Sequence, residues 1–190
     1  MKKGWGQTVI LVAILVFVLS PFAFSQDELS LLGRAMQELE TENTEVAQEI
    51  IDQVRLILWN KAPMRVENVV LTESETTSYG AYQERISNFF APDETIYIYA
   101  EPKNYTIYQE NGIYHIYFTL DVNLYDPEGN LIATQESFAN FRYITYSPVY
   151  EVFLDLYFDL DFDPGEYELE VIVQDQLSDK SDSFRVPVRM

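Results

Sequence analysis

Carboxylates are concentrated near the C-terminal third of the chain, where Asp155, Asp159, Asp161, Asp163 and Glu166 follow one another closely. Alternate acidic positions that lead into a turn could supply oxygen ligands to Ca²⁺, so Asp159, Asp161, Asp163 and Glu166 are the candidate metal ligands. Their spacing differs from that of a twelve-residue EF-hand loop. A solvated row of charges that discourages edge pairing is the more frequent use of this pattern. Calcium is the one cofactor that the sequence leaves open.

Residues for acid–base or nucleophilic catalysis are scarce. His115 is the only histidine, and it lies on the strand face opposite the apolar row of its strand. A serine hydrolase would need this imidazole beside a serine, and the G-x-S-x-G motif is absent. The chain has no cysteine, which excludes thiol nucleophiles, cysteine–zinc sites and thiol redox chemistry. We predict that the protein is not an enzyme.

Tyrosine is the unusual enrichment, with 14 residues in the chain. Tyr97, Tyr99, Tyr117 and Tyr157 fall on strand faces opposite the predicted core rows. Exposed tyrosines offer large, stiff contact areas with a polar tip, which suits the recognition of proteins or glycans. These four residues are therefore the predicted binding face. The alternative is that the N-terminal helices cover this face.

The element that must position these residues is an all-β domain, predicted over residues 64–190. In the strand predicted over 113–125, the apolar row is formed by Tyr114, Ile116, Phe118, Leu120, Val122 and Leu124. Asn111-Gly112 and the segment 126–130 are predicted hairpin turns. Further strands are predicted over residues 96–101, 131–138, 141–146, 151–162, 167–173 and 184–188. Seven to nine strands at this spacing are typical of an antiparallel sandwich of two sheets.

Two amphipathic helices are predicted over residues 26–63. Leu29, Leu32, Met36 and Leu39 recur at helical spacing, and a second apolar face begins at Val46. The first interpretation is a helical hairpin that packs on the sandwich or spaces it from a membrane. The second is a short coiled coil that makes the protein a homo-oligomer.

Residues 1–25 have the pattern of a signal peptide. Lys2 and Lys3 precede an apolar run, and Ala23-Phe24-Ser25 offers a cleavage site. We expect cleavage after Ser25 and a secreted or periplasmic protein. The alternative is an uncleaved segment that anchors the protein in the membrane.

Charge and cysteine content limit the classes of partner. The formal net charge of −19 opposes binding to nucleic acids and to anionic lipid surfaces. A secreted domain without any disulfide fits a bacterial or archaeal envelope better than an animal extracellular space.

The spacing Asp163-x-Gly165-x-Tyr167 resembles the corner before strand F in immunoglobulin-like and fibronectin type III-like sandwiches. The segment 164–175, followed by residues 180–184, looks like the last two strands of such modules in secreted bacterial proteins. The resemblance implies an immunoglobulin-like antiparallel β-sandwich, with a corner in which the tyrosine hydroxyl bonds to nearby backbone. The chain departs from the antibody pattern, because it has no cysteine pair and no tryptophan in the β region.

Together these features predict a non-catalytic secreted or periplasmic module for protein–protein interaction or envelope assembly, with an envelope or extracellular protein as partner. Two alternatives stay open. One is a carbohydrate-binding module that uses the tyrosine face, and the other is a calcium-stabilised adhesive domain.

Overall fold

The computed structural model describes residues 28–160 and 162–190, which form two helices followed by eight strands. The predicted signal peptide lies outside the described residues. Helix α1 spans Glu28–Glu40 and helix α2 spans Thr44–Lys61. The strands are β1 Arg65–Thr72, β2 Ile96–Lys103, β3 Tyr108–Glu110, β4 Ile113–Tyr125, β5 Leu131–Thr145, β6 Leu154–Phe158, β7 Glu166–Asp175 and β8 Ser181–Arg189.

The strands form two antiparallel sheets, as the sequence predicts. Sheet A has three strands in the order β1-β2-β6. In sheet B, β5 pairs with one edge of β4, while β3 and β7 share the other edge and β8 follows β7. At one side of the sandwich β1 approaches β8, where the Val66 backbone N–H donates to the Asp182 carboxylate at 2.7 Å. Strands β5 and β6 end their sheets at the opposite side.

A single core lies between the two sheets. Its centre is the alternating row of β4, from Ile116 to Leu124, and this part of the sequence pattern is confirmed. Sheet A contributes Ile96, Ile98, Leu154 and Leu156, and β7 contributes a further row, all within one buried cluster. The period of two therefore places every second side chain of these strands in the core.

Two strands differ from the prediction in length. The segments predicted as strands 131–138 and 141–146 form one strand, β5, with an irregularity in the middle. The strand predicted over 151–162 is only Leu154–Phe158. Among the described residues its neighbour is β2, which begins at Ile96 opposite Phe158, so Asp159 and Leu160 have no strand beside them. Residue 161 of the predicted strand lies outside the described residues.

The helices form an antiparallel hairpin with a small core of its own. Leu31 and Ala35 of α1 pack with Ile50 and Val54 of α2, and Lys61 pairs with Glu28 at the ends of the two helices. Within the described part of the chain, the predicted apolar face of α1 is exposed: Leu29, Leu32, Met36 and Leu39 are 41–74 % exposed. Helix α1 carries a second apolar row, which contains Leu31 and Ala35, and α2 covers only this second row.

The end of α2 joins the hairpin to the sandwich. The Asn60 side chain accepts a hydrogen bond from the Ile107 backbone N–H at 2.9 Å and donates to the Ile107 carbonyl at 3.1 Å. Trp59 meets the rings of Tyr105 and Tyr150 edge-on, at centroid distances of 5.2 and 5.0 Å. The hairpin therefore packs on the sandwich through one end of α2.

The corner before β7 contains the hydrogen bond expected from the sequence. The Tyr167 hydroxyl donates to the Asp163 carbonyl oxygen at 2.7 Å. A Cβ atom at Gly165 would lie 3.3 Å from that hydroxyl, so glycine lets the ring lie against the turn. The Gly165 and Met190 backbones also exchange two hydrogen bonds, which tie the corner to the end of β8.

We expect Tyr167→Phe to lower the free energy of unfolding by about 0.5–1.5 kcal/mol, because it leaves the Asp163 carbonyl without this donor. Urea unfolding at neutral pH measures the difference. Tyr117→Phe is the matched control, since that hydroxyl makes only a 3.3 Å bond to Asn140 on the surface. Equal losses in the two variants would show that the corner bond has no special role.

Candidate protein-binding site

The structure separates the four tyrosines of the predicted binding face. Tyr97 and Tyr157 lie opposite each other on β2 and β6, and Tyr157 is well exposed. Tyr99 is fully buried beneath the rings of Tyr82 and Phe153. Tyr117 lies on the other sheet, next to the Arg142 guanidinium. The four therefore do not form one flat row, and the segment around Tyr82, rather than the helices, covers Tyr99.

Tyr99 belongs to a buried polar network that the sequence pattern did not reveal. Its hydroxyl donates to Glu101 at 2.7 Å, and the Tyr79 hydroxyl donates to the same carboxylate at 2.6 Å. The Lys103 ammonium lies 2.8 Å from Glu101, and Asn68, at an irregularity in β1, adds another hydrogen bond.

Burial alone would raise the pKa of Glu101, but the hydrogen bonds from Lys103, Tyr79, Tyr99 and Asn68 outweigh it and lower the pKa to about 2. Burial and the Glu101 carboxylate raise the pKa of both tyrosines, so their hydroxyls stay protonated. Such hydroxyls are hydrogen-bond donors rather than nucleophiles or bases. The network attaches the segment around Tyr79 to sheet A.

An apolar groove opens at the side of the sandwich where β5 and β6 end their sheets. Its volume is about 560 Å³. The apolar side chains that line it come from both sheets and include Val122, Leu124, Phe138, Phe141, Leu156 and Phe158. The groove therefore reaches the hydrophobic core between the two sheets.

Each strand beside the groove has one edge without a strand partner. Among the described residues, β6 pairs only with β2, and β5 pairs only with β4. In an antiparallel strand, the backbone groups of alternate residues point away from the existing neighbour. The free edge of β6 is therefore a row of backbone donors and acceptors that can pair with another extended chain.

A bulge distinguishes the edge of β5 from that of β6. Residues 136–138 lie opposite Asp121 alone, and the Asp121 carboxylate accepts from the Ser137 backbone N–H at 2.8 Å. Ser137 has φ 51°. Phe138 then stacks on Phe158 across the groove, with ring centroids 4.9 Å apart. Because a bulge interrupts regular pairing, β6 presents the more regular free edge.

The rim of the groove is acidic. Asp155 and Asp159 lie on the β6 side, and the described lining contains no lysine or arginine. The Asp159 carboxylate accepts from the Thr95 hydroxyl at 2.6 Å. Burial raises the pKa of Asp155, and the Glu75 charge adds to this, while a hydrogen bond from the Thr76 backbone N–H lowers it. A cationic group would find favourable charges here.

Among the predicted calcium ligands, the described ones, Asp159, Asp163 and Glu166, do not form a metal site. Across residues 28–160 and 162–190, no group of three or more histidine, aspartate or glutamate side chains could hold a metal ion. Asp161 lies outside the described residues, so its place relative to Asp159, Asp163 and Glu166 is not described. His115 is half-buried on β4 and lies beside the ring of Tyr108.

The groove brings together three of the residues that the sequence singled out: Asp155 and Asp159 of the acidic cluster and Tyr157 of the predicted binding face. Neither α1 nor α2 is long and apolar enough to cross a membrane.

No protein-family model matches the chain, and no curated protein matches it either.

Proposed function

We propose that this protein is a non-catalytic binding module of a secreted or periplasmic assembly, and that the groove beside β6 binds an extended segment of another protein. The free edge of β6 above an apolar groove is the observation that carries this proposal. An added strand would satisfy the backbone groups of Leu154–Phe158 that point away from β2. Its inward side chains would fill the space between the two sheets.

The chemistry of the groove defines the partner segment. Alternate side chains of a strand point to opposite faces, so every second residue of the segment faces the apolar lining and should itself be apolar. The residues between them face the rim and solvent. Because Asp155 and Asp159 lie there and the whole chain carries a net charge of −19, basic residues fit best.

We further infer that the sandwich is of the immunoglobulin-like class. The hydrogen bond from Tyr167 to Asp163 and the two antiparallel sheets support this assignment. The signal-peptide pattern and the lack of cysteine support an envelope location. A carbohydrate-binding role has less support, because Tyr99 is buried and Tyr117 lies on the other sheet from Tyr97 and Tyr157.

Calorimetric titration with a synthetic peptide of about eight residues, alternating valine and lysine, tests the proposal. We expect saturable binding to one site, and weaker binding as salt concentration rises. A peptide of the same composition with its valines grouped at one end is the control for alternation. Absence of binding, or equal binding of both peptides, would contradict strand addition.

Two variants locate the binding in the groove. Ala139→Trp puts a large ring into the lining and is expected to weaken peptide binding at least about tenfold. Asp159→Lys reverses a rim charge and should weaken it by a similar factor, whereas Asp179→Lys, in the exposed turn before β8, should not. Circular dichroism checks that each variant is folded. Peptide binding that Ala139→Trp leaves unchanged would place the site elsewhere.

A further inference from the structure

In the described part of the chain, a second apolar surface lies exposed on the helical hairpin, away from the groove. Five large apolar side chains form it and are each 41–64 % exposed. They are Leu32, Met36 and Leu39 of α1 and Ile51 and Leu58 of α2; we call this surface the hairpin face. Exposed apolar patches of this kind mark sites of interaction with another molecule.

Both helices contribute to the same side of the hairpin. At about 100° per residue, Leu39, Leu32 and Met36 lie roughly 60°, 80° and 120° around α1 from the midpoint of the face that packs on α2. The residues Ile51 and Leu58 lie at a similar angle, and in the same rotational sense, from the inward face of α2. Because the helices are antiparallel, a rotation in the same sense from each inward face leads to the same side of the hairpin. The exposed apolar rows of α1 and α2 therefore lie next to each other.

We propose that the hairpin face pairs with the hairpin face of a second copy of this chain, which makes the protein a dimer through a four-helix bundle. Spacings of four, three and seven residues are those of helices that pack on helices at a shallow angle. The hairpin has only a narrow core of its own, and a second hairpin supplies the opposing layer.

The composition of the hairpin argues against other occupants. Between residues 28 and 61 it carries seven acidic side chains and three basic ones, a net charge of −4, which opposes docking on anionic lipid. The sandwich cannot cover the face within one chain, because α2 already contacts it through Leu56 and Trp59. An apolar face can pair with its own copy under two-fold symmetry.

The size of the face sets the strength of pairing. Helix α1 is about 20 Å long and two packed helices are about 20 Å wide, so each copy offers roughly 400 Å². A dimer would bury roughly 800 Å² in total, which is the size of a weak, transient interface. We therefore expect a reversible dimer at roughly micromolar concentrations. Both copies are acidic, so screening of their repulsion should strengthen the dimer as salt rises. Peptide binding in the groove should respond to salt in the opposite direction.

Analytical ultracentrifugation of the purified protein from about 1 to 200 µM tests this inference. We expect a concentration-dependent dimer, and Met36→Glu should raise its dissociation constant at least about 30-fold. Ile144→Glu is the matched control, because Ile144 is 62 % exposed on β5 and Met36 is 64 % exposed. A protein that stays monomeric, or a dimer that Met36→Glu leaves intact, would overturn the proposal.

Single-cysteine variants give a second readout, because the chain has no cysteine of its own. Under mild oxidation Met36→Cys should form a disulfide-linked dimer rapidly, and Ile144→Cys should not. Unchanged melting curves confirm that both variants are folded. Equal cross-linking of the two variants would show that the hairpin face has no preferred contact with its copy. Neither readout depends on peptide binding at the groove.

Discussion

Glu101→Ala is expected to lower the free energy of unfolding by about 3–5 kcal/mol. The Glu101 side chain is almost fully buried and accepts hydrogen bonds from Tyr79 and Tyr99 beside the Lys103 ammonium. Removing the carboxylate leaves a cation and two hydroxyls in the same place without their common partner. Urea unfolding at pH 7, followed by circular dichroism, measures the loss. A change below about 1 kcal/mol would show that water replaces the carboxylate freely.

The contribution of Glu101 also predicts a pH dependence. Its pKa is about 2 in the folded protein, below the usual value of 4.5, so the unfolded chain binds the proton more readily. The stabilisation is therefore complete above about pH 4.5 and falls as the pH drops towards 2. Glu101→Gln keeps the size of the side chain but removes the titrating group. The difference in free energy of unfolding between the native protein and this variant should therefore shrink as the pH falls from about 4.5 towards 2. Glu136→Gln, on the exposed face of β5, is the control and should show no such pH-dependent change in its difference from the native protein.

Tyr105→Ala is expected to cost about 3–5 kcal/mol, because the ring is fully buried where the helical hairpin meets the sandwich. The ring meets Trp59 of α2 and Phe118 of β4 edge-on, at centroid distances of 5.2 and 5.3 Å. The hydroxyl donates to the Val149 carbonyl at 2.7 Å. One side chain thus contacts the hairpin, the core and the segment before β6.

Tyr105→Phe separates these contributions. It keeps the ring and removes one hydrogen bond, so its expected cost is about 1–2 kcal/mol. Urea unfolding gives both values, and the fluorescence of Trp59 reports on the junction with the hairpin. If Phe and Ala cost the same, the ring contributes nothing beyond its hydroxyl, and the contact with Trp59 would not hold the hairpin in place.

Local patterns in the sequence predicted the elements whose neighbours are close along the chain. The alternation of β4, the turn at Asn111-Gly112 with positive φ angles, and the corner at Tyr167 follow from a few adjacent residues. The ends of β6 depend instead on where β2 begins, far away in sequence. The bulge at Ser137 depends on the Asp121 carboxylate, which no local pattern around Ser137 reveals.

The candidate site was harder to predict for the same reason. Tyr99 and Tyr157 have the same alternating pattern in the sequence, yet the segment containing Tyr79 and Tyr82 buries the first and leaves the second exposed. On α1, Leu31 and Leu32 are neighbours of one residue type, and only the position of α2 decides which is buried. The groove itself arises because β6 pairs with β2, far away in sequence, and so ends sheet A on the side where β5 ends sheet B.

Amide hydrogen exchange with and without the alternating peptide tests strand addition at β6, because it locates the backbone bonds that an added strand would form. We expect the outward-facing amides of Leu154–Phe158 to become at least about tenfold better protected when peptide is bound. The turn before β8 and the hairpin face should be unaffected. Bound peptide that leaves the amides of β6 unprotected, or that protects the hairpin instead, would contradict strand addition at this edge.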